Sequence, residues 1–284
     1  MKVGRRTVAL LLSLASATVL ATVPMAASAA PPKPLKYVAL GDSYAAAPLV
    51  PPADVTNLAC LRSLANYPHV AAKTLGARLT DVTCSGAKVG DLSGFQLLTV
   101  PQLWAVPADA DVISITMGGN DVDLVSIALS CINLLPEPRG KSCADKYTAG
   151  GVDQVEQKIT AWAPEFGAAL DTIRKRAPKA RIVVVGYGQY IRAGGCPGTQ
   201  PIWARDADYL QAKVVSLNAV LRDQAVARGA TYLDTTALTA GHDVCAAPAD
   251  RYIEGLIPAS AATPIHPNAA GSKVIGTALA DVIR

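Results

Sequence analysis

Charge is scarce in this 284-residue chain: 17% of its residues are Asp, Glu, Lys or Arg, where about 25% is usual for a globular protein. Aromatic residues make up 5%, and histidine occurs three times. Low charge beside 51% hydrophobic residues excludes a disordered polar chain, and the sequence has no Gly-x-y period of a collagen. No two cysteines are spaced C-x-x-C, and three histidines are too few for a Cys/His zinc site, so no metal and no cofactor is expected. Beyond the N-terminus no apolar run approaches the roughly 20 residues that a membrane span needs. There is no linker and no internal repeat, which points to a single domain.

What is present begins with a leader. Lys2, Arg5 and Arg6 precede an apolar run from Val8 to Val23, followed by Ala27-Ser28-Ala29 and then Pro31 and Pro32. A basic start, a short apolar stretch and a small-x-small site are the order of a secretory signal peptide. The expected division is residues 1–29 as signal and 30–284 as one domain, secreted and without a stable membrane anchor. Without Lys2, Arg5 and Arg6 the 26 basic residues fall to 23 against 22 acids, so the excess of positive charge belongs largely to the leader. No basic tract remains that could neutralise a row of phosphates, so nucleic acid is not an expected partner. A monomer is expected.

The six cysteines are Cys60, Cys84, Cys131, Cys143, Cys196 and Cys245. An even number behind a signal peptide implies disulfides formed in an oxidising compartment. Six cysteines allow 15 pairings; the simplest is sequential, 60–84, 131–143 and 196–245.

Hydrophobic patterning predicts strands at 35–41, 78–84, 111–117, 181–187 and 230–234. Helical periodicity covers 66–76, 121–130, 152–176, 204–228 and 269–283, and residues 132–150 read as a loop stapled by two cysteines. Strands that are apolar on both faces and alternate with helices imply a parallel sheet covered on both sides. In such a sheet the ligand crevice lies beyond the carboxyl ends of the strands. Three predicted strands end in Gly41-Asp42-Ser43-Tyr44, in Cys84-Ser85-Gly86 and in Gly118-Gly119-Asn120-Asp121. A fourth segment, Ile265-His266-Pro267-Asn268, precedes the last helix. A serine hydroxyl becomes a nucleophile only when a base takes its proton, and imidazole suits that task near neutral pH. Of His69, His242 and His266, the last is held beside Pro267 at a loop-to-helix junction, where it can reach towards Ser43. An acyl transfer also needs donors for the developing oxyanion, each worth about 2.7–4 kcal/mol. Gly86 can offer a backbone N–H, Asn120 its side-chain amide, and Ser43 its own N–H. Asp42 is expected to hydrogen-bond the turn. Trp104, Trp162, Trp203 and the apolar run Phe95–Val100 are expected to pack in the core, although that run could line an acyl pocket.

Tyr37-Val-Ala-Leu-Gly-Asp-Ser-Tyr44 resembles the first sequence block of the GDSL, or SGNH, hydrolases. Gly86, Gly118-Gly119-Asn120-Asp121 and His266-Pro267-Asn268 resemble the later blocks, in order and across most of the chain after residue 29. The similarity is greatest to secreted actinobacterial lipases and esterases with three disulfides. It implies a flavodoxin-like three-layer α/β/α sandwich with a five-stranded parallel sheet, sequential disulfide pairing, and metal-independent ester hydrolysis through an acyl-serine. Residue by residue, it implies Ser43 as nucleophile, His266 as base, and Gly86 and Asn120 in the oxyanion hole. The substrate would be a lipid, phospholipid or simple acyl ester; the alternatives are a carbohydrate acetylesterase or a non-catalytic binding domain on the same scaffold. One position departs from the pattern. Many members carry Asp three residues before the histidine, and here that residue is Thr263. The third role therefore falls to a main-chain carbonyl, most simply that of Thr263, with Asp243 or Asp234 as the alternative.

Overall fold

Three strands carry an almost unbroken run of buried residues, and they form the middle of the sheet. In the computed structural model, which describes Met1, Lys2, Gly4 and residues 33–284, these are β1 (Lys36–Gly41), β3 (Val112–Thr116) and β4 (Arg181–Val185). The edge strands β2 (Arg78–Asp81) and β5 (Thr231–Leu233) are short and partly exposed. All pairings are parallel and the order is β2-β1-β3-β4-β5, the flavodoxin-like order. The expected signal peptide at 1–29 lies, but for its first residues, outside the described residues; Pro34–Arg284 packs as one unit.

The helices follow from their caps and their apolar stripes. Asn66 caps α2 (Tyr67–Leu75) and Gly76 ends it in the left-handed region. An asparagine cap recurs at the last helix, α8 (Ala269–Ile283), where the Asn268 side chain accepts the Gly271 N–H. These two helices pack together on one face of the sheet. On the other face lie α5 (Gln154–Arg176), capped by Asp153, and α6 (Ala204–Ala227). Three short helices complete the chain: α1 (Ser43–Ala46), α3 (Leu124–Ser130) and α4 (Cys143–Thr148), with one further turn, α7 (Thr236–Thr239). The helix α4 lies inside the segment expected to be a loop; the Ser142 hydroxyl caps it by accepting the Asp145 N–H.

β2 stops at Asp81 rather than running on to Cys84. The Asp81 carboxylate accepts both the N–H and the O–H of Thr83, and that local turn competes with the ladder. The three disulfides are Cys60–Cys84, Cys131–Cys143 and Cys196–Cys245. Each lies in segments that follow the carboxyl ends of strands, where it restricts loops rather than the sheet; closing such loops contributes roughly 2–4 kcal/mol each.

Candidate active site

The turn after β1 leaves no room for a side chain at its hinge. Gly41 adopts φ +149°, and a Cβ there would meet the Thr116 carbonyl oxygen at 2.8 Å and the Ala45 Cβ at 2.9 Å. This turn throws Ser43 onto the first position of α1, above the carboxyl edge of the sheet. Ser43 is not the cap of that helix. Asp42 is: its carboxylate accepts the Tyr44 N–H at 2.9 Å and the Tyr187 hydroxyl at 2.5 Å. The Tyr187 hydroxyl in turn accepts the Gly119 N–H at 2.8 Å. The ends of β1, β3 and β4 are thus tied together by one buried chain of polar groups. Burial raises the Asp42 carboxyl to about 7, against the pull of the Tyr187 and Tyr44 donors.

His266 reaches the same place from the far end of the chain. Its segment runs antiparallel to residues 252–254: the Glu254 N–H donates to the His266 carbonyl, the Ile265 N–H to the Glu254 carbonyl and the Asn268 N–H to the Tyr252 carbonyl, each at 3.0 Å. Ile265 takes φ +54°, a strained value for a β-branched residue, directly before the histidine. The Glu254 carboxylate braces the loop by accepting from Ala259 N–H, Ser260 O–H and Asn268 Nδ2–H. Burial works against this carboxylate's charge, yet those donors hold its pKa below the ordinary value.

The His266 Nε2 lies 2.7 Å from the Ser43 Oγ, across 223 positions of sequence. Its Nδ1 lies 2.8 Å from the Pro264 carbonyl oxygen. The carbonyl that meets the ring is this one, not the expected one of Thr263. The Thr263 hydroxyl and N–H are both turned to the Pro48 carbonyl, and the left-handed Ile265 folds the chain so that the Pro264 carbonyl meets the ring. Neither alternative carboxylate is engaged with the histidine. Asp243 is fully buried against the Arg192 guanidinium, and Asp234 accepts the Thr236 N–H. A carbonyl can only accept, so Nδ1 carries the proton and Nε2 presents its lone pair to the serine hydroxyl. His242, the other loop histidine, stacks on Tyr252 and bonds the Asp250 carbonyl, away from this pair.

Asn120 lines the same cavity as Ser43 and His266, and its side chain links it to the loop that carries Gly86. Gly86 adopts φ +80°, and among the described residues no acceptor engages its N–H. The Gln96 side chain donates to the Ser85 carbonyl at 2.8 Å. In a planar trans peptide that fixes the Gly86 N–H on the opposite side. The Asn120 Nδ2 donates to the Ala87 carbonyl at 2.9 Å, which links the two loops; among the described residues its second amide hydrogen has no acceptor. Asp121 accepts the Val89 N–H, a network role. Gln96, Tyr187 and Glu254 had no distinguishing signal in the sequence.

Ser43, Asn120 and His266 line the mouth of one cavity. Its walls are apolar: Leu124, Val125 and Ala128 from α3, Leu210 and Val214 from α6, and Ile191. His266 is 8% exposed, and burial lowers its pKa below the ordinary 6.5, an effect the Pro264 carbonyl partly offsets. An imidazole accepts a proton only when neutral, so lower pH removes that capacity and a lowered pKa keeps it available further into acid. The acid limb of kcat/KM against pH is therefore expected to have its midpoint below 6.5 with unit slope; a midpoint above that value would contradict a buried, carbonyl-bound imidazole.

A serine hydroxyl bonded to a tautomer-fixed histidine, beside free amide donors and over an apolar cavity, is the arrangement of a serine-dependent acyl hydrolase. Comparison with known proteins agrees. Residues 39–274 match the model of the GDSL-like Lipase/Acylhydrolase family, and the chain belongs to that family. It is 40% identical over 256 residues to Lipase 2 of Streptomyces coelicolor, covering 88% of this chain and 86% of that one. Its fold superposes on the crystal structure of an extracellular lipase from Streptomyces rimosus with a TM-score of 0.73 at 28% identity, covering 87% of this chain and 99% of that one. Phospholipase A1 from Streptomyces albidoflavus shares the fold, with a TM-score of 0.71 at 23% identity over 87% of this chain and 97% of that one. Among the described residues no helix is long and apolar enough to cross a membrane, and no group of three or more His, Cys, Asp or Glu could hold a metal ion.

Proposed function

We propose that this protein is a secreted carboxylic ester hydrolase that acts on lipid or other acyl esters through an acyl-serine on Ser43. The observation that carries the reading is the 2.7 Å contact between His266 Nε2 and Ser43 Oγ at the mouth of the apolar cavity. Ser43 Oγ attacks the ester carbonyl while Nε2 takes its proton; the imidazolium keeps its Nδ1–H on the Pro264 carbonyl. The Gly86 N–H, the Asn120 amide and the Ser43 N–H receive the oxyanion. The alcohol leaves with the proton from Nε2, and a water activated by the same nitrogen then hydrolyses the acyl-enzyme. The basic–apolar leader and three disulfides support export to an oxidising compartment, with residues 1–29 as its signal.

The apolar walls favour longer acyl chains over acetylated sugars. Each added methylene that enters contributes about 0.8 kcal/mol. Against p-nitrophenyl esters, kcat/KM is expected to rise at least about tenfold from acetate to octanoate, and Ala128→Trp in the cavity wall should abolish that gain while sparing acetate. A fluorophosphonate probe should label the parent and not Ser43→Ala. Absence of both hydrolysis and labelling in the parent would leave a binding domain; preference for acetyl esters would leave the carbohydrate esterase.

A further inference from the structure

The apolar run expected to pack in the core faces outward. Gln96 and Thr99 exchange both backbone hydrogen bonds, at 3.1 and 2.8 Å, and so close a two-residue turn with Leu97 and Leu98 at its tip. Leu97 is 87% exposed and Leu98 95%. Leu97 is also in the left-handed region, φ +53°, which costs a residue with a Cβ. Beside the turn, the exposed rings of Phe95 and Trp104 meet edge to face with centroids 5.5 Å apart. Trp104 shares a surface depression with Lys175 and Arg176 at the end of α5. Among the described residues neither cation is in an ion pair with a carboxylate.

We propose that this turn and its aromatic–cationic flank dock the enzyme on an anionic phospholipid surface. A convex tip of two bare leucines needs no matching groove if it enters acyl chains, whereas a protein partner would have to supply one. Tryptophan beside Lys and Arg that lack a carboxylate partner suits the headgroup level, where the ring straddles the boundary and the cations meet phosphate. The turn is also rigidly tied to the active site. The Gln96 side chain bonds the Ser85 carbonyl next to Gly86, and the Cys60–Cys84 disulfide holds the base of that loop. Insertion of the tip would bring the rim of the site to the lipid. The surface acts whether or not Ser43 performs chemistry, so it can be tested without hydrolysis.

The test uses the Ser43→Ala protein, which leaves vesicles intact, sedimented with sucrose-loaded vesicles of equal phosphatidylglycerol and phosphatidylcholine or of phosphatidylcholine alone. It is expected to sediment with the mixed vesicles. Leu97→Glu with Leu98→Glu should weaken partitioning at least about tenfold. Lys175→Glu, or omission of phosphatidylglycerol, should weaken it about tenfold. In the Ser43 background the same substitutions should leave the melting curve and hydrolysis of a soluble butyrate ester unchanged. No partitioning of the parent, or partitioning indifferent to the leucines, would overturn the proposal. So would a parent that sediments as a dimer and becomes monomeric with the leucine substitutions, since the turn would then join two copies.

Discussion

Ser43→Ala and His266→Gln should each lower kcat for an acyl ester by about 10⁴-fold or more, and the double variant should be no slower than the worse of the two. The non-additivity is the informative part. If the 2.7 Å contact is the proton path, then removing either partner leaves the other nothing to do. What remains is stabilisation by the oxyanion donors and binding, which neither substitution touches. KM should change little, because the cavity walls stay in place. Asp234→Asn should leave kcat within about twofold, since that carboxylate bonds only its own turn. A loss comparable to that of His266→Gln would mean that a carboxylate, not the Pro264 carbonyl, supports the imidazolium. Additive losses from Ser43 and His266 would mean that the two do not act as a unit.

The sequence carried the central sheet well because β1, β3 and β4 are buried on both faces, and burial of that kind writes itself as continuous apolar runs. The last helix was legible to the residue because Asn268 caps it and its apolar face repeats cleanly. Edge and loop features were less legible. β2 ends early through a side-chain turn at Asp81, which competes with a strand without altering the hydrophobic pattern. The six residues of α4 are too few for periodicity to register. The Phe95–Val100 run illustrates a deeper limit: apolar composition alone does not distinguish a core segment from one turned to a lipid-like environment. At the site, Ser43, Gly86, Asn120 and His266 were named from motifs and strand ends, and the fold brings their loops to one rim. The Pro264 carbonyl was one residue away from expectation. A carbonyl is present at every position, so only the left-handed twist at Ile265 decides which one meets the ring. Tyr187 and Glu254 look ordinary in sequence, because their roles depend on partners 145 and 14 positions away.

Asn120→Ala should reduce kcat by about 10²–10³-fold with KM nearly unchanged. The argument rests on where charge appears. In the ground state the ester carbonyl is neutral and gains little from an amide donor; in the tetrahedral intermediate the oxygen is anionic, beside apolar walls. A donor already fixed by its second hydrogen bond, here to the Ala87 carbonyl, need not reorganise when that charge forms. Removing the Asn120 side chain takes away that donor and also its bond to the Ala87 carbonyl, so two of the three proposed oxyanion donors, Asn120 and Gly86, are affected together. Gln96→Ala separates these effects. It frees the Ser85 carbonyl and lets the Gly86 peptide rotate without touching Asn120, and its loss should be smaller, about tenfold, and confined to kcat. Should Asn120→Ala instead raise KM and spare kcat, the amide would be a ground-state substrate contact, and the oxyanion would have to be held by the Gly86 and Ser43 N–H groups alone.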